Sequence, residues 1–366
     1  MTVKPNPRRG LIGNLAGSAC AVPAVQVLLA FMLAAALLPS PSTARTSLGG
    51  QRVGTSSGSF LRIGIGARPA SMAGAFVAIC DDITACAWNP AGLVHLKTSQ
   101  IALNHISLPA DIGYSHLCYG MPIQSLDGEV AFQFGCLSTD LAETQEYYPY
   151  GTGRDFTFSD WLAGLSVAKR FTDKFSGGFA VKYVREELGV EIGGPTTDAF
   201  VLDAGTQYEI GPKNMRLAVA LMNFGPDMTP SGSFKQTAGA ITEDTQYSGY
   251  APSTEFRFGI ALDPVTRPWL KSVVDIEMCH PADNAETIRA GGEAVISNTL
   301  ALRGGYDFNA DQLRTSFGMG LSTRIFARRA SLDYSATPSE YFGTVHRFSL
   351  SMDIGKVAAL EAGAEQ

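Results

Sequence analysis

The chain has 366 residues, of which 45% are hydrophobic, 10% aromatic and 17% charged, with a formal net charge of -6. This composition excludes disorder over most of the chain, and the lack of any Lys/Arg block excludes nucleic acid as a partner. With 20 Phe, 12 Tyr and 39 Gly, the sequence favours many short strands and tight turns over a helical bundle.

Residues 1–44 are organised like an export signal. Basic residues without an acidic one precede an apolar run from Val27 to Leu38, and a segment of small residues and prolines follows, ending at Ala44. A membrane anchor is the alternative, but the run is shorter than the roughly 20 residues that span a bilayer. We predict a signal peptide over 1–44 that is cleaved near Ala44.

The next segment, 45–98, lacks strand alternation. Pro69 is suited to the first turn of a helix, and the small residues Ala70, Ala73, Gly74 and Ala78 would let that helix pack closely against a wall. The Asn-Pro pair at 89–90 is a turn signal and predicts that the segment bends back after Trp88. A short apolar helix followed by a turn, placed ahead of the strands, predicts a hatch.

From about residue 100 the sequence alternates with the period of a strand. In one example the bulky Phe317, Met319 and Leu321 alternate with Ser316, Gly318 and Gly320, so one face is apolar and the other is not. The pattern predicts fourteen strands: 100–107, 112–121, 129–136, 158–170, 175–187, 199–209, 215–224, 253–263, 270–278, 286–297, 299–307, 313–323, 329–336 and 345–354.

Long and short connections between these strands tend to alternate. Long polar stretches (137–157, 188–198, 225–252) follow the third, fifth and seventh strands, and short turns such as 172–174 and 297–298 follow others. This arrangement is typical of an antiparallel outer-membrane barrel with an apolar exterior and a polar lumen. We therefore predict an all-β transmembrane barrel of about 14 strands over 99–355, followed by a tail over 356–366.

A soluble β-sandwich is the alternative fold, because it would bury the same apolar faces between two sheets. The polar faces carry both signs of charge in neighbouring strands, at Lys271, Asp275, Glu277, Arg289, Glu293, Arg303, Asp307 and Arg314. Such charges suit cross-strand pairing inside a wet barrel as well as the solvated face of a sandwich. The export signal, and fourteen strands without a domain linker, favour one closed sheet.

No catalytic or metal-binding constellation is present in the sequence. Beyond the signal, five cysteines remain without a Cys-x-x-Cys motif, and the five histidines are scattered. Cys80 and Cys86 are spaced to bridge one loop in an oxidising compartment, but small buried apolar residues are the favoured interpretation. We expect no cofactor and no enzymatic activity, which disfavours a secreted β-rich enzyme.

Several motifs resemble a known family. The runs Gly66–Ala78, Asp81-Asp82 and Trp88–Leu93 resemble the N-terminal signature of the PorV/PorQ family, relatives of the FadL-type outer-membrane transporters. Residues 168–176, 222–226 and 346–350 are similar to the family's hairpin, Asn-Phe-Gly-Pro loop and closing strand.

This resemblance implies a fourteen-stranded barrel in the bacterial outer membrane whose lumen is closed by an N-terminal hatch. It implies passive transport of hydrophobic small molecules such as long-chain fatty acids, with outer-membrane lipid and a hydrophobic ligand as partners. The hatch and ligand residues would be Met72, Phe76, Ile79, Trp88, Asn89, Pro90, Ala91 and Leu93; the alternative for each is ordinary packing that seals the pore.

The PorV branch implies a second function of a different class. There the barrel would be a docking component of a type IX secretion system that binds secreted or secretion-system proteins. The outer loops would form its surface, above all 137–157 with Tyr147, Tyr148 and Tyr150, and 225–252.

Overall fold

Fourteen antiparallel strands close into one barrel. The computed structural model describes residues 52–355 apart from 124, 126–127, 239–240, 311 and 327, so the predicted signal peptide and the tail at 356–366 lie outside the described residues. The barrel strands follow one another around the wall in chain order, and it closes where β1 pairs with β16, with Gln100 opposite Asp353 and Ser107 opposite His346.

The strands are β1 (Gln100–Ser107), β2 (Gly113–Ile123), β3 (Gly128–Ala142), β4 (Asp155–Arg170), β5 (Phe175–Leu188), β6 (Thr196–Ile210), β7 (Met215–Phe224), β8 (Ser233–Ala238), β9 (Ile241–Gln246), β10 (Glu255–Arg267), β11 (Leu270–Pro281), β12 (Thr287–Ile296), β13 (Leu300–Asp307), β14 (Thr315–Ile325), β15 (Arg328–Ser339) and β16 (Gly343–Asp353). All fourteen predicted strands are present as β1–β7 and β10–β16. The separate β8–β9 hairpin was not predicted, because its residues lie in a polar stretch that resembles a loop.

The outward face of the wall is apolar around the whole barrel. Large apolar side chains are exposed on that face, including Leu103, Phe134, Leu165, Phe179, Phe200, Ile276, Met319, Leu332 and Phe348. A belt of this kind in water would be far larger than the apolar patches that soluble proteins tolerate. Its natural surroundings are lipid tails, so the sandwich alternative is wrong: these side chains do not lie between two sheets.

The two ends of the barrel differ in their connections. At one end lie short turns (171–174, 211–214, 268–269 and 297–299), together with the start of β1 and the end of β16. The opposite end carries the longer connections 143–154 and 225–254, the second of which contains β8 and β9. In outer-membrane barrels the short turns face the periplasm and the long loops face outward.

The inward face carries the charges that alternation predicts. Glu293 lies opposite Arg303, and Arg289 lies opposite Asp307; the side chains pair at 2.5 Å (Arg303 Nε to Glu293 Oε2) and 3.0 Å (Arg289 Nε to Asp307 Oδ2). Arg314 is an exception to the predicted polar face. It lies before β14, exposed in the outer connection, and donates to the carbonyl oxygen of Ala310.

The N-terminal segment, residues 59–96 and here called the hatch, lies inside the barrel. It contains a 3-10 turn at Ser59–Arg62, short α-helices at Ala67–Ser71 and Ala85–Trp88, and a 3-10 helix at Pro90–His95. The predicted continuous helix through Ala78 is wrong, because Ala73 and Gly74 have φ of 56° and 80°, in the left-handed region where a helix cannot continue. No helix among the described residues is long and apolar enough to cross a membrane.

Candidate functional site

The hatch runs from the outer end of the lumen to the periplasmic end. At the outer end, Ser57 pairs with Pro252 of the long connection and Arg62 Nη1 lies 2.6 Å from Asp283 Oδ1. At the other end the chain leaves His95 and enters β1, where Ile354 donates its backbone N–H to the Ser99 carbonyl oxygen over 2.7 Å. The hatch therefore passes through the whole height of the barrel.

The structure brings the eight predicted hatch residues together as one buried group. All of them, Met72, Phe76, Ile79, Trp88, Asn89, Pro90, Ala91 and Leu93, are buried, and most belong to a single apolar core with wall residues of β1, β2, β3, β7 and β10. The Phe76 and Trp88 rings meet edge to face with centroids 6.1 Å apart. At this level the lumen is filled by protein.

Glycines on the lumen face let the hatch backbone approach the wall. A methyl group added at Gly305 would lie 2.2 Å from the Met72 carbonyl carbon, and one at Gly178 would lie 2.4 Å from the Pro90 carbonyl carbon. The hatch backbone also lies against Gly291, where the added methyl would be 2.6 Å from the Met72 carbonyl oxygen. Four further strands carry a glycine that lies against a hatch side chain: Gly120 (Ile83), Gly205 (Asn89), Gly259 (Val77) and Gly318 (Ser71). These glycines together form a slot that fits the hatch.

Asn89 makes three hydrogen bonds within the hatch and to the wall. Its Nδ2 donates to the carbonyl oxygens of Val77 (3.0 Å) and Thr206 (3.3 Å), and its Oδ1 accepts from the Ala91 backbone N–H (3.1 Å). Asn89 itself is extended, with φ -157° and ψ 103°, as expected for a residue before proline. One amide side chain thus joins two parts of the hatch to β6.

Two wall side chains satisfy the irregular backbone between the hatch helices. Glu277 Oε2 accepts from the N–H groups of Phe76 (3.0 Å) and Val77 (2.9 Å), and Gln207 Nε2 donates to the Ala78 carbonyl oxygen (2.8 Å). Buried backbone groups without such partners would cost free energy. The wall thus supplies the hydrogen bonds that a regular helix would have made internally.

Arg68 connects the hatch to the charged side of the lumen. Its Nη2 lies 2.9 Å from Glu293 Oε1, and its Nη1 lies 2.7 Å from Asp82 Oδ2. Three carboxylates, of Asp81, Asp82 and Glu293, thus surround the Arg68 guanidinium. Arg68 therefore stays charged and holds the first α-helix of the hatch beside β12.

The cysteines of the hatch are buried. Cys80 and Cys86 are both free thiols and both buried, in line with the favoured interpretation of small apolar residues. Cys86 instead lies beside Cys118 of β2, with the two Sγ atoms 3.4 Å apart. Among the described residues no group of three or more His, Cys, Asp or Glu side chains is placed to hold a metal ion.

A second apolar cluster packs between the outer part of the hatch and the barrel wall. We call it the upper apolar cluster; it consists of Phe60, Ile65, Ile106, Tyr114, Leu137, Leu162, Val184, Ala199, Val201, Met228 and Val345. A small cavity lies between this cluster and Trp88, lined by Leu61, Ile63, Ile65, Tyr114 and Leu162 together with polar groups of Gln133, Lys182 and Arg257. The cavity is too small for a hydrocarbon chain, so the structure represents a closed lumen.

Arg257 is the polar group of this cavity with spare hydrogen-bonding capacity. Its Nε donates to Glu255 Oε2 over 2.8 Å, and its guanidinium carbon lies 4.7 Å from the centre of the Trp88 ring. Its buried Nη1 has no hydrogen-bond partner within the part of the chain that the structure describes. Lys182, by contrast, is paired with Asp203 at 2.8 Å between Nζ and Oδ1.

Sequence analysis did not identify the residues of the barrel wall that hold the hatch. The glycine slot and the role of Gln207 were not predicted, and Glu277 was predicted only as one charge of a polar face. Glycines at lumen-facing positions of the predicted strands could have indicated this side of the site. A glycine inside a strand often marks a place where another backbone or a ligand approaches closely.

Comparison with known proteins identifies the fold. No protein-family model matches the sequence, and no curated protein does. Among solved structures, the toluene transporter TbuX of Ralstonia pickettii is similar at 14% identity and a TM-score of 0.53, covering 79% of this chain and 97% of that chain. The CymD monoaromatic hydrocarbon channel is similar at 12% identity and a TM-score of 0.51, covering 81% and 99%.

This likeness shows a shared fold. It confirms the predicted fourteen-stranded barrel. The closed barrel and its apolar belt place the protein in the bacterial outer membrane.

Proposed function

We propose that this barrel is a passive channel for hydrophobic small molecules across the outer membrane, in which the hatch is the gate. The observation that supports it best is the upper apolar cluster, which lies between the outer end of the lumen and the cavity beside Trp88. An apolar molecule gains about 25 cal/mol for each Å² that it removes from water. A ligand can therefore enter from outside without any coupled energy source.

Passage would require the hatch to move. The hatch fills the lumen below the cavity, and Met72, Phe76 and Ile79 are buried against the wall. We infer that ligand in the cavity favours a displaced arrangement of the hatch, because only a difference in affinity between two states shifts their populations. The eight buried hatch residues would then be the residues that a passing ligand contacts.

Long-chain fatty acids are the ligand class that we favour within this function. The lining is apolar, yet the unpartnered Nη1 of Arg257 offers one donor to an anionic head group. A hydrogen bond between a guanidinium and a carboxylate is among the stronger ones in proteins. This assignment agrees with the resemblance to the PorV/PorQ family and its FadL-type relatives.

The function is tested by uptake into cells that lack other hydrophobic channels, with oleate and toluene as probes. Leu162→Gln in the upper apolar cluster should lower the uptake of both about tenfold, because an apolar ligand would leave a buried amide unpaired. Leu165→Gln, on the outward face of the same strand, is the control and should retain uptake at equal protein levels. Wild-type uptake no faster than that of cells without the protein would contradict the proposal.

The fatty-acid assignment has its own test. Arg257→Met should lower oleate uptake about tenfold, since one charge-assisted hydrogen bond is lost, and should leave toluene uptake unchanged. Arg257→Lys retains the charge and should be intermediate. Equal loss for both probes would indicate that Arg257 only holds the hatch.

A docking function in a type IX secretion system is the second candidate. It is favoured by the connection 143–154, where Tyr147 and Tyr150 are 86% and 101% exposed at the outer end of the barrel. Replacing Tyr147, Tyr148 and Tyr150 by Ser should abolish the capture of secreted proteins if the barrel docks them, and should leave oleate and toluene uptake unchanged if it is a channel.

A further inference from the structure

Two buried thiols face each other across the boundary between hatch and wall. Cys86 lies in the hatch helix Ala85–Trp88, and Cys118 lies on the lumen face of β2. Their Sγ atoms are 3.4 Å apart and both residues are fully buried. We propose that Cys86 and Cys118 form a disulfide bond that ties the hatch to the barrel wall.

The surrounding contacts keep the two cysteines in register. Gln133 of β3, which lies opposite Cys118 in the sheet, donates from Nε2 to the Cys86 carbonyl oxygen over 3.1 Å. A disulfide has an S–S distance of about 2.05 Å, so the sulfur atoms need to approach by little more than about 1 Å.

The thiolate is the nucleophile in disulfide formation. Each thiol loses its proton to water while the hatch is still unseated and the two sulfur atoms are accessible. The cysteines meet a suitable oxidant on the way to the outer membrane, because the periplasm oxidises protein thiols. We name that oxidant by class: a protein thiol oxidase whose active site is a disulfide.

The reaction balances as two successive thiol–disulfide exchanges. The Cys118 thiolate attacks the oxidase disulfide and forms a mixed disulfide, releasing one oxidase thiolate. The Cys86 thiolate then attacks Cys118 Sγ and releases the second. Two S–H bonds are lost and one S–S bond forms in the barrel, while two electrons and two protons remain on the oxidase as a dithiol. Because both sulfur atoms are buried in the closed barrel, these steps occur before the hatch is fully seated.

The bond divides the hatch into a fixed and a movable part. It holds the helix Ala85–Trp88 against β2, and with it Asn89, whose side chain already bonds to β6. Movement of the hatch would therefore be confined to residues before Cys86, such as the irregular segment that contains Met72, Phe76 and Ile79.

The test uses full-length protein purified from outer membranes. Free thiols are blocked with N-ethylmaleimide in denaturant, and the protein is digested with trypsin without reductant. Cleavage after Lys97 separates Cys86 from Cys118, so the proposal predicts that peptides 63–97 and 98–154 remain linked and separate on reduction with dithiothreitol. Each peptide contains a second cysteine, Cys80 or Cys136, and these two residues supply the controls.

Cys80→Ser and Cys136→Ser should keep the linked peptides, and Cys86→Ser and Cys118→Ser should each lose them. The two control variants decide the pairing even where the other two fail to fold. Wild-type protein with all its cysteines alkylated would overturn the proposal. Loss of the link in Cys80→Ser or Cys136→Ser would overturn it too.

Discussion

Asn89 and Gly205 meet so closely that a methyl group added to Gly205 would lie 2.0 Å from Asn89 Oδ1. The contact joins the turn of the hatch to β6, where Asn89 also bonds to the Thr206 carbonyl oxygen. A glycine is thus required in the wall because a polar side chain of the hatch occupies the place of its side chain.

Gly205→Ala should prevent the hatch from seating. The added methyl must displace Asn89, and overpacking of this kind costs about 1–3 kcal/mol. We expect a higher leak current in planar bilayers than for the wild type. Gly211→Ala is the control, since nothing lies within 4 Å of its added methyl; identical currents for the two variants would show that Asn89 can move freely.

Removing the Glu277 carboxylate should loosen the middle of the hatch. Glu277→Ala leaves the N–H groups of Phe76 and Val77 without their acceptor, at about 1–3 kcal/mol for each unsatisfied group. Hydrogen exchange of a peptide that contains both amides should become faster, as measured by mass spectrometry. Glu277→Gln keeps an acceptor oxygen and should exchange more slowly than Glu277→Ala; the reverse order would contradict the assignment.

Arg303 should be important for barrel stability. Its Nη1 lies 2.6 Å from Asp333 Oδ1 and its Nε lies 2.5 Å from Glu293 Oε2, with all three residues buried. Arg303→Met leaves the buried Asp333 without a cation and leaves Glu293 with Arg68 alone, and it should lower the free energy of unfolding in urea by about 3–5 kcal/mol. Arg324→Met, at an exposed position near the periplasmic end, should change it little. A small effect at both positions would mean that water in the lumen screens the attraction between Arg303 and its two carboxylate partners.

The free-energy cost of placing a charged side chain on the lipid-facing surface should depend on its depth in the membrane. Met319 is 56% exposed on the outward face of β14, and Phe326 lies at the periplasmic turn after that strand. Met319→Arg should cost about 2–4 kcal/mol and Phe326→Arg about 0–1 kcal/mol. The heat-induced gel shift of folded barrels would report this as less folded Met319→Arg protein, and equal yields would place Met319 outside the hydrocarbon region.

The sequence by itself determined the barrel. Each lipid-facing side chain must alternate with a lumen-facing one, so Phe317, Met319 and Leu321 mark one face of β14 without any tertiary information. The alternation of long and short connections separated the two ends of the barrel. The eight hatch residues were predicted from their motifs, and their gating role stays a proposal.

Only the tertiary structure decided how the hatch is held. Its backbone leaves helical geometry at Ala73 and Gly74. Glu277 and Gln207, on strands distant in sequence, then supply hydrogen bonds to the backbone of residues 76–78. The sequence pattern predicted Arg314 on the lumen face, because the alternation of apolar and polar residues begins before the strand does. The pairing with β13 shows that β14 starts only at Thr315. Cys86 faces Cys118 rather than the nearby Cys80 because the slot in the wall sets the path of the hatch. Contacts between residues far apart in the chain depend on how the closed barrel positions them, and local periodicity carries no information about that.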